Sequence, residues 1–558
     1  MDIRVACSCL LAASIVSSQA CAAEFSGTSV GIWNKPIVVK LQIENGKITD
    51  VQTTQSETPA IGGTAIKKLS QEIIKAQSLN VDNISGATIS SKAFKAAAAQ
   101  AAEKAGFVSK SIDKKKPVLY KDTQTDVVIV GGGPGGMMAA IELSDGGKKV
   151  ILLEQLGVLG GDGPFISTAY QAAGSKIQKK AGNTATQEDF ANFLSADKGT
   201  SKEMAQIVAK ESSRVIDFLV DHGAEISKTT NKFWHLPQNG SSPGEAVTPI
   251  FIKEVSARPI DVRLNNQAKD LIVENGKVVG VKVQPSNGNP YVIRAKDVIL
   301  ATGGFAASKE LLNKYAPDLA SLGTTNSHGS SGSGHKMAEK AGALLTNMTK
   351  VVINPTTYHT GSSYLSFTPL RHKAIIVSKE GVRIAKSNER DKNKLMNVMM
   401  QSSGGSGKAF LILDQKSVDD LSIIKGYVDK GFVVSSPTIA GLAEKLGINA
   451  GNLEETVNLY KRNAKEGKDP QFGQTSFGTF LDHPPFYGCP VVPAVHATQG
   501  GIAINKYGEV LNRDGSVIPG LFAIGQTANT GLGSGNIGAH AASSMALRAA
   551  DYILGKVQ

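Results

Sequence analysis

Cysteine is scarce: there are four in 558 residues, and Cys7, Cys9 and Cys21 fall within the first 21. Beyond them only Cys489 remains. That excludes an internal disulfide and a cysteine-ligated zinc or iron–sulfur centre in the rest of the chain. No Cys-x-x-Cys-His occurs, so no c-type haem is attached to this chain. Long apolar runs are also missing. The run from Val5 to Val16 is about twelve residues, too short to span a bilayer as a helix. Small residues from Ser17 to Ala23 follow it, then Glu24. The pattern reads as a secretory signal over residues 1–23, cut after Ala22 or Ala23, and implies export to the periplasm or beyond. Ser18-Gln19-Ala20-Cys21 is a poor lipoprotein box. Nucleic-acid motifs are absent as well. The net charge of +12 is spread out, and its densest run, Lys114-Lys115-Lys116, sits between periodic segments. That pattern is a solvated surface, and no nucleic acid is expected as a partner.

Glycine, by contrast, is abundant, with 59 residues concentrated in loops. The chain is too long for one core, so several domains are expected. Asp126-Val127-Val128-Ile129-Val130 reads as a buried strand entering a glycine turn and then a helix. Gly131, Gly133 and Gly136, with Pro134 and Gly135 between them, have the spacing of a dinucleotide fingerprint. Glu154 ends the next apolar strand, where a ribose-binding acid belongs. A second cluster follows at Gly160-Gly161-Asp162-Gly163. Much later, Asp297–Leu300 leads into Ala301-Thr302-Gly303-Gly304. Near the end, Gly525-Gln526 and a glycine turn reaching Gly538 precede a helix from about Ala539 to Leu554. Together these separated parts favour FAD over NAD.

Residues 24–107 read as a small α+β domain. Asn45-Gly46 between alternating runs is a strong hairpin signal. Ile66–Ala76 and Lys92–Ala105 read as helices, with Gly106 as a C-terminal stop. Taken alone, Ser85-Gly86-Ala87-Thr88-Ile89-Ser90 is a turn with helix-capping hydroxyls. With the hairpin, Glu57-Thr58 and Asp82, however, the segment resembles the periplasmic FMN-binding domain of sodium-pumping quinone reductase subunits and flavin reductases. The resemblance implies FMN linked covalently through its phosphate to Thr88 by a dedicated flavin transferase. Residues 108–124, Lys-rich and without periodicity, read as a flexible linker that keeps this FMN near its electron acceptor.

From about residue 125 to the end, the chain resembles the soluble fumarate reductase and urocanate reductase family, related to succinate dehydrogenase flavoprotein subunits. The supporting marks are Asp261–Leu264, Asn354-Pro355-Thr356, Thr368, Arg371, Gly381–Arg383, Asn388–Asp391, Pro484–Tyr487 and His496–Gly501. The implied fold class is α/β: a two-dinucleotide-binding-type FAD domain with an inserted α+β capping domain, preceded by the small FMN-binding domain. The FAD domain would occupy 125–352 and 496–558, and the capping domain 353–495.

By the same resemblance, reduced FAD gives a hydride to one carbon of an activated C=C bond, and Arg390 gives the proton to the other. Arginine is a weak acid by general chemistry, so Tyr358, Tyr364 and Tyr487 are alternative donors. The substrate-binding positions would be Asn354, Thr368, Arg371, Ala497, Thr498 and Ser534. Several depart from the fumarate reductase pattern. Asn354 stands for His, Ala497 for a second His, Ser534 for the carboxylate-binding Arg, and Thr368-Pro369 for Thr-Glu. Each lost charge-assisted ligand removes about 1.5–3 kcal/mol, so a less charged, bulkier unsaturated carbonyl compound is expected rather than fumarate. Trp234, His235, His359 and His372 are further candidates for its pocket, although a core or surface role suits each one. The implied electron donor is a cytochrome c or a membrane quinol-linked protein. Besides a fumarate-type dicarboxylate reductase, two other readings stay open: an FAD dehydrogenase or oxidase of the 3-ketosteroid dehydrogenase type, and a flavin-carrying electron-transfer module. The FMN domain argues against the first and the capping domain against the second.

Overall fold

The computed structural model describes residues 23–32, 35–111, 117–167, 169–196, 200–359, 364–371, 373–532 and 538–557. The expected signal, apart from Ala23, and also His372 and Ser534 lie outside the described residues, as do the side chain of Tyr364 and the Lys114–Lys116 run.

Three antiparallel strands open the chain: β1 (Ala23–Val30), β2 (Pro36–Glu44) and β3 (Lys47–Thr54). The β2–β3 hairpin turns at Asn45 (φ 50°) and Gly46 (φ 70°), two successive left-handed residues, as its Asn-Gly sequence requires. Helices α1 (Thr64–Ala76) and α2 (Thr88–Lys104) cover one face of the sheet. Ile37, Val39, Leu41, Leu69, Ile73 and Phe94 form the domain's own core. Helix α2 starts four residues earlier than its alanine-rich run suggested, so Thr88 stands in the first turn instead of a preceding loop. The segment expected as a flexible tether is anchored at its far end. Tyr120 stacks on Tyr291 with ring centroids 4.7 Å apart, and its N–H donates to Asn289 Oδ1 at 2.9 Å.

The second layer is an eight-stranded sheet. Strand β4 (Thr123–Val130) runs parallel to β5 (Val150–Glu154) on one side and to Tyr291–Leu300 on the other. Asp261–Leu264 and Val517–Ala523 add at the flanks, also in parallel. Both faces of β4 are covered. Val127 and Ile129 enter the core with helix α3 (Pro134–Asp145), while Val128 and Val130 enter the opposite core. Burial on both faces explains why β4 reads as a continuous apolar run.

A seven-stranded sheet is built around the 13-residue strand Phe486–Thr498. Val351–His359 pairs antiparallel with one edge of it and Ala409–Asp414 with the other. The expected limits of the capping domain, 353 and 495, both fall inside these strands. Cys489 is fully buried in this sheet, and burial pushes its thiol up, leaving it inert. Among the described residues, no helix is long and apolar enough to cross a membrane.

Candidate active site

Two helix N-termini converge on one cleft of about 1000 Å³. α3 begins after Gly133, and the helix Ala539–Ile553 begins after Gly538. Neither start has a side-chain cap. Elsewhere Ser175, Thr186, Ser201, Ser242 and Asn449 cap their helices. An uncapped start leaves N–H donors and the positive end of the helix dipole for an anionic group.

Gly131, Gly133, Pro134, Gly135, Glu154, Gly161, Asp162, Ala301, Thr302, Gly303, Gly525, Gln526 and Gly538 all line this cleft. Glu154 is buried, and burial pushes its carboxyl up, opposed by the N–H groups of Leu156 and Gly132. These donors lie 2.8 and 2.9 Å from its oxygens. Lone pairs remain on both oxygens for further donors. Three other expected residues act behind the wall. A Cβ on Gly136 would lie 1.9 Å from the Gly131 carbonyl oxygen, so this glycine lets α3 pack on the turn. Gly160 donates its N–H to Gly132 O at 2.9 Å. A Cβ on Gly304 would stand 2.2 Å from Thr498 Oγ1. At Gly131 the φ of 114° and the Ala301 carbonyl oxygen 2.2 Å from a Cβ exclude any other residue.

Sequence reasoning missed Asn266, Gln267 and Ala268, and the loop residues Ser327, Gly329, Ser330 and Ser333. The Gly/Ser-rich run from Ser327 to Gly334, just before a helix, was the available signal. Asp162 pins that loop. Its carboxylate accepts from Ser327 N (2.5 Å), Ser330 Oγ (2.7 Å) and Asn326 Nδ2 (2.9 Å). Burial pushes its carboxyl up, and these donors pull it back.

Of the expected substrate residues, Asn354, Ala497 and Thr498 lie on two paired strands of the seven-stranded sheet, and Thr368 and Arg371 on the short helix Thr368–Arg371. Asn354 is buried and already engaged: its amide donates to Ser366 Oγ and to Thr368 Oγ1 (3.0 Å), and its oxygen accepts from Thr356 N (3.1 Å). Ala497 is fully buried and offers no polar side-chain atom. Thr498 Oγ1 accepts from Phe305 N at 3.3 Å, which ties the strand to the Gly303–Gly304 turn.

Arg371 is 7% exposed. Its Nη1 donates to the Glu389 carbonyl at 2.5 Å, while its Nε has no partner. Lys392, which sequence reasoning missed, is half-buried near it. Burial and the Arg371 charge lower its pKa, and no carboxylate pairs with it among the described residues. His496, buried and close enough to feel Lys392, is lowered to about 4 and is therefore neutral; its Nδ1 is 2.7 Å from Thr325 Oγ1. Arg390 is exposed. Its neighbours' carboxylates are occupied: Glu389 faces Lys394 at 3.3 Å, and Asp391 caps the helix Lys392–Ser402.

The alternative donors do not gather here. Tyr358 packs on Phe367 and Phe432, and Tyr487 donates to Gln415 Oε1, both in the capping-domain core. His235 is a core residue, lowered to about 4 by burial, 2.8 Å from Ser175 Oγ. Trp234, next to it, lies in the same short three-stranded sheet, and His359 is exposed.

In the small domain, α2 starts without a side-chain cap, as α1 does, and Thr88 is its first residue. The hydroxyls expected to cap it are turned to other uses. Ser90 donates to buried Glu57, and Ser91 donates to Ala87 O at 2.8 Å. Glu57 also accepts from Ile32 N at 3.0 Å.

Comparison with known proteins agrees with this geometry. Residues 126–541 match the FAD binding domain and residues 31–103 the FMN-binding domain. The chain is 30% identical over 541 residues to a urocanate reductase of Eggerthella lenta, covering 92% of this chain and 89% of that one. It is 26% identical to an NADH:acrylate oxidoreductase of Vibrio harveyi, over 90% of this chain and 58% of the relative. Among solved structures, an open conformation of a flavocytochrome c3 fumarate reductase is similar, with a TM-score of 0.68, 27% identity and 78% of each chain covered. The chain thus belongs to the FAD-binding flavoprotein family that includes urocanate reductase and flavocytochrome fumarate reductase, and it carries an FMN-binding domain ahead of the FAD-binding domain.

Proposed function

We propose that this protein is an FAD- and FMN-dependent reductase of the activated C=C bond of an unsaturated carbonyl compound with a single carboxylate, and that fumarate is not its substrate. The names of its relatives, a urocanate reductase and an acrylate oxidoreductase, support the reaction class. The observation that carries the substrate reading is the asymmetry of the charge around the expected substrate residues. Arg371 is buried and Lys392 half-buried, neither makes an ion pair with a carboxylate among the described residues, and burial lowers both, although the Glu389 charge offsets part of this at Arg371. A buried unpaired cation is costly, and an anionic ligand group would relieve it. Two positions that would grip a second carboxylate are spent: Asn354 is committed to Ser366 and Thr368, and Ala497 is apolar.

The Gly131–Gly136 turn, Glu154, Gly525, Gln526 and Gly538 would hold FAD, which when bound and reduced would supply a hydride. The chain's own residues do the rest. Arg371 orients the carboxylate, Thr368 and Thr498 line its approach, and Arg390, free of ion pairs among the described residues, delivers the proton. Thr88 is the attachment point for FMN, through which electrons arrive from a respiratory donor.

The test is a panel of enoates and enones with dithionite-reduced viologen as donor. Monocarboxylic enoates should turn over, with fumarate slower by several orders of magnitude. Rapid reduction of fumarate would overturn the substrate reading, and no reduction of any alkene would overturn the reaction class.

A further inference from the structure

A second cavity, of about 300 Å³, lies in the seam between the small domain and the FAD domain. From the small domain, Ile61 and Gly86 line it; Gly86 is two residues before Thr88. The opposite wall includes Gly161 and Ser327, and both of these also line the FAD cleft. The two cavities are therefore separated by one layer of backbone, the Gly160–Asp162 turn and the loop that Asp162 pins to it.

The seam is a bonded contact. Gly157 N donates to Ser85 O at 2.9 Å, and Lys68 Nζ donates to Gly157 O at 3.0 Å. A Cβ on Gly86 (φ 86°) would lie 3.1 Å from Val158 and 3.3 Å from Leu156, so the motif loop fits closely on the strand end after Glu154. The turn Pro59–Gly63 packs on the helix Pro243–Ser256.

We infer that the seam cavity is the seat of the isoalloxazine ring of the FMN carried by Thr88, which docks against the outer wall of the FAD cleft without the small domain having to travel. This rests on the reading of Thr88 as the attachment point. Thr88, the first residue of α2, is two residues from Gly86 in the cavity wall, and Val158, Leu159 and Phe165 give that cavity apolar sides suited to a flat ring. Electrons then cross the Gly160–Asp162 turn. With both flavins bound, that turn would lie between a two-electron donor and its acceptor: the anionic FMN hydroquinone would give up two electrons and one proton, and FAD would take up the same number of each to become its anionic hydroquinone.

The experiment uses the full-length holoenzyme and reads where the ring sits. Flavin fluorescence in a denaturing gel reports covalent attachment. Iodide quenching of flavin emission in the native protein reports exposure, with the Thr88→Ala protein giving the FAD contribution to subtract. The FMN ring should be shielded in the unsubstituted protein. Ala307→Trp, which fills the seam from the FAD-domain side, should leave both flavins at full stoichiometry and raise iodide quenching several-fold. Leu322→Trp is the second variant, should the first fail to retain FAD. A fluorescent gel band together with strong quenching that neither variant changes would overturn the docked seat while leaving attachment intact. A missing band would overturn attachment, and the docked seat with it.

Discussion

Arg390 and Lys392 stand on either side of the helix-capping Asp391, in different environments. Arg390 is exposed, whereas Lys392 is half-buried and lowered by burial and by Arg371. A general acid works best when its pKa approaches the operating pH, so a depressed lysine can resupply a proton that an arginine passes on. Arg390→Lys should lower kcat by about 10²–10⁴-fold, the usual worth of a positioned acid, with FAD content unchanged. Near-normal turnover would move the acid role elsewhere. Lys392→Met should change the pH profile. The lysine is useful only when protonated, so activity in the parent should fall as pH rises through a value below the ordinary 10.5 of a lysine. The variant should lose that alkaline limb and keep a lower, flatter rate, as a pH series of kcat would show.

At the scale of elements, one buried ion pair closes the capping domain. Arg383 Nη2 lies 2.5 Å from Asp469, and both side chains are almost fully buried. The guanidinium also lies over the rings of Tyr460 (5.1 Å) and Phe472 (4.7 Å). Asp469 belongs to the loop after the helix Ala450–Glu466, and Arg383 bridges to Val377 at the end of the strand Ile375–Val377. Asp469→Ala would leave a buried cation unpaired and should cost about 3–5 kcal/mol of stability. Urea unfolding followed by capping-domain fluorescence checks this, and a loss under about 1 kcal/mol would mean that water reaches the guanidinium. The starts of α2, α3 and Ala539–Ile553 lack side-chain caps, which leaves their N–H groups for a phosphate or pyrophosphate, although α1, Ser333–Lys340 and Ser422–Asp429 lack caps as well.

Across the whole molecule, the small domain and the FAD domain share one wall, so removing the first flavin should separate electron entry from chemistry. Thr88→Ala should abolish the fluorescent band in a denaturing gel, retain FAD, and keep viologen-driven turnover wherever viologen reaches FAD directly. Turnover with a protein electron donor should be lost. A surviving band would place the attachment at another residue.

The sequence by itself determined the elements whose demands are local. Asn45-Gly46 set a hairpin because both residues tolerate left-handed backbone. The fingerprint turn is set by its own glycines: Gly131 takes a φ of 114°, and a Cβ at Gly136 would strike the Gly131 carbonyl oxygen at 1.9 Å. The apolar run of β4 announced a strand covered on both faces. Only the tertiary structure decided what depends on distant segments meeting. Arg371, Lys392 and His496 come together from three separate elements, and nothing in their local sequence marks Lys392 as half-buried. Asn354 looked like a free ligand until Ser366 and Thr368 were seen to occupy its amide. The seam joins Gly86 to Gly161 across a gap in sequence that no periodicity spans. Backbone conformation is encoded residue by residue, whereas burial and charge environment are properties of the packed whole.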